Sequence, residues 1–310
     1  MPDFIDRLQG NILSRRTPAL IGLDPRWELL PTELRGDDSR PSTSKMAEAF
    51  QAFCTEVIDI VAPLVPAVKP QVAFFEQLGP AGMVAVDAVM QHARRQGLIV
   101  IADAKRGDIG STAEAYADAW LDGDSGKAAF AADALTVNPY LGDDTLQPFI
   151  DMAAQRNAGI YVLVRTSNPG AKTFQDKTSD GTTLYETVAD SVQQFNADAA
   201  GTDRLGFVGA VVGATWPAEL KALRSRMPNT PFLVPGYGSQ GGTADDVAPA
   251  FHGPPAAALV NSSRAINFAW HRPEWKDKYP DAKWRDAVHA ATQKMVADLP
   301  AVENNYSASR

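Results

Sequence analysis

Eight short apolar runs punctuate the chain, and between them apolar residues recur at helical spacing. The runs lie at residues 19–23, 65–70, 98–102, 134–138, 160–164, 207–212, 232–235 and 256–261. They are rich in Val, Ile, Leu and Ala and mostly lack polar alternation, the pattern of strands covered on both faces. Residues 44–62 carry Phe50, Phe53, Cys54, Val57 and Ile58 as one stripe, and residues 79–96 carry Met83, Val86, Val89 and Met90. That period is helical. Further helices are predicted over residues 4–14, 111–120, 127–132, 144–157, 184–199, 217–226 and 284–299. Eight strands alternating with helices predict a single-domain (β/α)8 TIM barrel over residues 1–310. It opens with an N-terminal helix at 1–14 and ends in a loose polar tail at 301–310. A doubly wound open sheet is the alternative. Polar loops are predicted at 35–45 and, for about fifteen residues, after 165–170. A structureless loop of that length inside a compact domain is often functional.

The third run departs from the others. Leu98-Ile99-Val100-Ile101-Ala102 leads straight into Asp103-Ala104-Lys105-Arg106-Gly107-Asp108. Side chains alternate along a strand, so Ile99, Ile101, Asp103 and Lys105 should share one side. Asp108 follows three residues later, after the turn that Gly107 and Gly110 permit. Ser111 and Glu114 have the spacing of a capping box at the start of a helix. The same residues could form an ordinary surface ion-pair cluster. Against that, the pair shares its side with core residues, a costly place for idle charge.

Barrels place their active sites at the carboxyl ends of their strands. The groups predicted there are Asp24, Lys69, Asp103 with Lys105, Asn138, Thr166 with Ser167, Thr215, the glycine-rich turn at 236–242 with Gln240, and Ser263-Arg264. Gly236, Gly238, Gly241 and Gly242 allow backbone N–H groups to approach an anion. Loops after the seventh and eighth strands are the usual phosphate site of a barrel, and Arg264 adds a guanidinium.

Composition narrows the function classes. The 310 residues carry a formal charge of −8, which argues against non-specific nucleic-acid binding but not against a small anionic substrate. The single Cys54 excludes an internal disulfide and a cysteine-based zinc cluster, and its place in an apolar stripe reads as a buried hydrophobe. His92, His252, His271 and His289 fall away from the strand ends and read as surface or structural residues. No apolar run approaches about 20 residues, and the amino terminus lacks a signal pattern, so a soluble cytoplasmic protein without a membrane span is expected.

The segment Asp103-Ala104-Lys105-Arg106-Gly107-Asp108-Ile109 resembles the Asp-x-Lys-x-x-Asp signature of the orotidine 5′-phosphate decarboxylase family. Asp24, Lys69, the 235–242 segment Pro-Gly-Tyr-Gly-Ser-Gln-Gly-Gly and Arg264 extend the resemblance along residues 15–270. The segments Asn138-Pro139-Tyr140 and Arg165-Thr166-Ser167-Asn168-Pro169-Gly170 are similar to its longer bacterial, type 2 subgroup. The resemblance implies a carboxy-lyase of UMP biosynthesis. It would convert orotidine 5′-monophosphate to uridine 5′-monophosphate with no metal or organic cofactor. It also implies a homodimer in which Lys69, Asp103 and Lys105 come from one chain, while Asp108, Ile109 and Thr112 reach the partner's site. Lys105 would stabilise and protonate a C6 carbanion. Lys69 would orient the array. Asp24 would accept from the ribose, Thr166 and Ser167 would contact the base, and Gly238, Gln240, Ser263 and Arg264 would hold substrate at its phosphate end. Magnesium-dependent sugar-phosphate decarboxylases or aldolases of the same superfamily carry an acid where this chain has Ile101. A Schiff-base aldolase would want a lysine of depressed pKa, which flanking carboxylates disfavour. A nucleotide-binding barrel without catalysis is the remaining alternative.

Overall fold

The computed structural model describes residues 3–36, 41–199, 202, 204–238, 241–254 and 256–302. Eight parallel strands close into a barrel: β1 (Ala19–Leu23), β2 (Ala67–Pro70), β3 (Ile99–Arg106), β4 (Ala134–Val137), β5 (Gly159–Arg165), β6 (Val208–Val212), β7 (Phe232–Val234) and β8 (Ala258–Ser262). Each strand pairs with its neighbours in chain order. Closure comes from β1 against β8, with Ala19 opposite Val260 and Ile21 opposite Ser262. That pairing excludes the open doubly wound sheet.

The longer helices are α1 (Phe4–Arg15), α2 (Thr43–Val61), α3 (Pro80–Arg95), α4 (Gly110–Trp120), α5 (Gln147–Gln155), α6 (Leu184–Phe195), α7 (Pro217–Arg226) and α8 (Trp284–Asp298). Strand alternation divides the apolar residues into two layers. Outward residues such as Ile21, Val68, Val100 and Leu135 pack with the helices, including Phe50, Phe53, Val86, Met90 and Trp284. Inward residues Leu20, Ala67, Ile99, Ile101, Ala134, Tyr161, Leu233 and Leu259 fill the barrel. Cys54 is fully buried. Among the described residues no helix is long and apolar enough to cross a membrane.

Helix α1 closes the amino-terminal end of the barrel. Phe4, Ile5, Leu8 and Ile12 lie on its inner stripe and join the interior cluster. Gly159 is required there, because a Cβ would meet the Phe4 ring at 2.3 Å. The same end carries a polar latch. Arg7 Nη1 donates to Asp133 Oδ1 at 2.5 Å, and Asp133 Oδ2 accepts the Val100 N–H at 2.9 Å. Burial nevertheless pushes the Asp133 carboxyl above the usual range against the pull of Arg7.

Three local expectations change. Residues 127–132 are a turn, not a helix, because Asp122 Oδ1 accepts the N–H groups of Lys127 (2.8 Å) and Ala128 (3.0 Å) and folds the segment back. The Ser111–Glu114 capping box does not form: α4 already begins at Gly110, behind Ile109, with no side-chain cap. The loop after β5 is not structureless. It carries a 3-10 turn (Pro169–Thr173) and a two-stranded hairpin (Thr178–Ser179 with Thr182–Thr183). Thr183 then caps α6, with Glu186 completing a capping box that the sequence reading missed. Of the expected tail at 301–310, residues 303–310 lie outside the described residues.

Arg7→Ala should lower stability by about 2–3 kcal/mol at pH 7, by leaving the Asp133 carboxylate buried without its partner. A carboxyl whose folded pKa is raised loses stability as pH rises through that value. Removing Arg7 raises it further, so the deficit should shrink on acidification toward pH 5. Urea unfolding at fixed protein concentration at the two pH values checks this.

Candidate active site

At the carboxyl end of the barrel, β3 departs from regular pairing. Its register with β4 runs Ile101–Ala134 and Ala102–Leu135, then shifts to Arg106–Val137. Within this bulge Lys105 adopts a left-handed φ of 47°. Regular alternation therefore does not bring Lys105 beside Asp103; the bulge does. A left-handed non-glycine residue costs roughly 1–2 kcal/mol, and it persists where its surroundings over-determine it. Here Thr136 on β4 supplies that constraint. Its hydroxyl oxygen accepts the Lys105 N–H at 2.9 Å and its O–H donates to Asp103 Oδ1 at 3.0 Å.

The Asp103 carboxylate is buried and accepts four hydrogen bonds. Lys105 Nζ (2.5 Å) joins Thr136 on Oδ1, while Lys69 Nζ (2.5 Å) and Gln71 Nε2 (3.0 Å) reach Oδ2. Burial would raise the Asp103 pKa, but the Lys69 and Lys105 ammonium groups outweigh it and hold the carboxyl far below its usual range. Lys69 shows the mirror image. Burial would strip its proton, yet Asp103 and Asp24 hold its pKa above the ordinary lysine value. The Lys105 side chain stays 45% exposed. Asp24, at the end of β1, is pushed up by burial, opposed by Lys69 and by a hydrogen bond with Ser263. Its Oδ1 has no partner among the described residues.

These groups line a cleft of about 430 Å³ that also holds Thr166 and Ser167 after β5 and Ser263 after β8. Gln175 fixes Thr166 by accepting its N–H (3.0 Å) and donating to its hydroxyl (2.8 Å). A second cavity of about 350 Å³ shares Asp24, Gln71, Asn261 and Ser263 with the first, and adds Arg264, Arg26, Gly236 and Tyr237. Together they form one elongated trough, with ammonium and carboxylate groups at one end and guanidinium groups at the other.

The remaining sequence candidates stand elsewhere. Gly238 (φ 74°) faces a separate cavity of about 390 Å³ beside Ser262 and Ala265. Gln240 lies outside the described residues. Asp108 turns back, its Oδ1 accepting the Ile109 N–H at 2.8 Å. Ile109 is 62% exposed, and Thr112 sits on the exposed side of α4. Asn138 is exposed and accepts the Tyr140 N–H, and Thr215 donates to the Ser167 carbonyl. Sequence reasoning missed Gln71, Thr136 and Arg26. Thr136 carried a signal: it is a polar residue in the midst of the apolar run at 134–137. Ile101, where an acidic ligand would stand in a magnesium-binding relative, is fully buried in the barrel.

Asp103→Asn would leave the buried Lys69 ammonium without its nearest counter-charge. A loss of about 3 kcal/mol is expected at pH 7. In the parent, the raised Lys69 pKa makes its contribution complete below the unfolded lysine value, and it is lost only as pH rises through the folded one. In the variant Lys69 sheds its proton earlier, so the deficit should narrow between pH 7 and pH 10. Chemical denaturation across that range reads it directly.

Residues 20–273 match the family model described as orotidine 5′-phosphate decarboxylase / HUMPS family. A protein of Rhodopirellula baltica named orotidine 5′-phosphate decarboxylase is 51% identical over 300 residues, covering 96% of this chain and 99% of that protein. One of the same name from Haloarcula marismortui is 40% identical over 293 residues, covering 94% and 96%. The solved structure of Leishmania donovani OMP decarboxylase superposes with a TM-score of 0.71 at 29% identity, over 96% of each chain. The barrel, the trough at its carboxyl end and these likenesses agree: the chain belongs to the orotidine 5′-phosphate decarboxylase / HUMPS family.

Proposed function

We propose that this protein is a carboxy-lyase that converts orotidine 5′-monophosphate to uridine 5′-monophosphate, the last step of UMP synthesis, without metal or organic cofactor. The observation that carries this reading is the buried Asp103 carboxylate held between two lysine ammonium groups at the floor of the trough. In the reaction the C6–carboxylate bond breaks, CO2 departs and the electron pair stays on C6. No conjugated sink is placed to receive that pair, so a fixed ammonium is the effective stabiliser. Lys105 fills that role and then gives a proton to C6, completing the product. Its head group is tied to Asp103 before substrate arrives, so the field requires no reorganisation. The substrate carboxylate would lie near Asp103, and loss of CO2 relieves that like-charge contact; carbanion stabilisation is the larger effect.

Lys69 orients Asp103 and reaches the ribose. The free Oδ1 of Asp24 suits a ribose hydroxyl donor. Thr166 and Ser167 contact the pyrimidine edge. Arg264 and Ser263, beside Gly236 and Tyr237, hold the phosphate at the far end, where binding energy can be gathered away from the reacting carbon.

The active unit is a homodimer in this reading. Asp108, Ile109 and Thr112 would complete the partner's site, adding a second carboxylate beside Lys105. Three features support it. Asp108 is not among the described residues that line its own trough. The apolar side chains of Ile109, Tyr140, Leu141 and Phe174 are exposed on the loops after β3, β4 and β5. The rings of Tyr140 and Phe174 meet edge-on at 6.4 Å. Apolar residues clustered on one rim mark a contact surface. A cytoplasmic location accompanies this reading, since substrate and product are phosphorylated metabolites.

Mixing the protein in chelator with orotidine 5′-monophosphate should produce the fall in ultraviolet absorbance that accompanies conversion to uridine 5′-monophosphate. Saturable binding of the product without turnover would point instead to a nucleotide-binding barrel. Lys105→Ala should reduce turnover by about 10⁴-fold or more, the sum of lost charge stabilisation and lost proton transfer, while the chain still folds because Lys69 remains on Asp103. Lys105→Ala and Asp108→Asn chains, each inactive alone, should recover about a quarter of parental activity once subunits exchange, because half the dimers then carry one intact site. No recovery after verified exchange would put Asp108 to work within its own chain.

A further inference from the structure

The guanidinium end of the trough contains a residue that neither the sequence motif nor the comparisons single out. Arg26 follows Asp24-Pro25 at the end of β1, and Arg264 follows Ser263 at the end of β8. These strands are neighbours, with Ile21 opposite Ser262, so the two loops rise side by side. Both arginines line the same 350 Å³ cavity, with Gly236 and Tyr237 at its wall. The Arg26 guanidinium lies over the Phe74 ring, 3.9 Å from its centroid, and Phe74 lines the cavity too. Stacking restrains the flat face while leaving the N–H edge available. Arg26 Nε is buried and has no hydrogen-bond partner among the described residues. An arginine so restrained in the wall of a cavity is preorganised for a ligand with several acceptor oxygens.

We infer that Arg26 is a second phosphate-binding residue, forming with Arg264 a two-guanidinium clamp for the 5′-phosphate dianion of a nucleoside monophosphate. The inference rests on the reading that the trough takes a nucleotide with its phosphate at this end. It adds what that reading lacks: a cation from the β1 loop facing the one from β8, two positive charges for the two of the dianion. The same placement puts Arg26 next to Asp24, whose carboxyl it helps to keep ionised. A purely structural Arg26 would serve Asp24 alone.

The two roles separate by ligand. Binding of UMP and of uridine would be measured by calorimetry on the parent, Arg26→Met, Arg26→Lys and Phe74→Leu. The clamp predicts that Arg26→Met weakens UMP by about 10- to 100-fold, as one to two charge-assisted hydrogen bonds are lost, while uridine is unchanged. Arg26→Lys keeps the charge but not the fork, and should fall between. It also carries the test if the Met variant does not fold. Phe74→Leu should weaken UMP modestly and uridine not at all. Equal losses for UMP and uridine, or no loss for UMP, overturn the inference. The functional reading is tested apart from it, by turnover of orotidine 5′-monophosphate in the parent. A parent without turnover whose UMP affinity still depends on Arg26 would overturn that reading and leave the clamp standing.

Discussion

Everything at the mouth of this barrel depends on one carboxylate held between two ammonium groups. Asp103 sits directly above the apolar interior made by Ile99, Ile101 and their neighbours, where an unpaired charge would cost several kcal/mol. It is stable there because every lone-pair direction is used, by Lys69, Gln71, Lys105 and Thr136. The pKa directions express the same balance. Desolvation disfavours each charge singly, and mutual attraction favours them together. Such an arrangement can be kept ionised, dry and rigid at once, which is what stabilising a developing carbanion demands.

Rigidity has a local cost. Lys105 is held in the left-handed region inside a bulge, and the Thr136 hydroxyl binds both the Lys105 amide and the Asp103 carboxylate. The strained backbone and the ionic array therefore support each other. The bulge aims the lysine head group at Asp103 while leaving its tip open to the cleft. Strain at such a position is part of preorganisation.

The two ends of the barrel divide the work. The amino-terminal end is sealed by Phe4, Ile5, Leu8 and Ile12 of α1 and latched by Arg7 to Asp133; its chemistry concerns stability. The carboxyl end is open and ordered along one trough, from ammonium groups to guanidinium groups. In the proposed reading, binding energy gathered at the guanidinium end would be applied at the ammonium end without touching it. An exposed apolar rim lies beside α4, and Asp108 Oδ1 accepts the Ile109 N–H on that side of the cleft.

Much of this was legible in the sequence, for a physical reason. A parallel barrel strand is buried on both faces, so it reads as an apolar run, and eight such runs could be counted. Charge at the end of such a run is expensive, so Asp24, Lys69, Asp103 and Lys105 stood out without coordinates. Where the reading failed, the deciding interaction joined residues remote in sequence or turned on the backbone. Strand alternation suggested that Asp103 and Lys105 lie together, but a bulge braced by Thr136, some thirty residues on, is what brings them there. Residues 127–132 have helical composition, yet Asp122 captures their amides. Arg26 belongs to no motif in the sequence; closure of β1 against β8 brings it to the same cavity as Arg264. The sequence by itself determined which groups could not be left in solvent-free surroundings without a purpose. Only the tertiary structure decided which of them meet, because the closure of the barrel, not spacing along the chain, sets those distances.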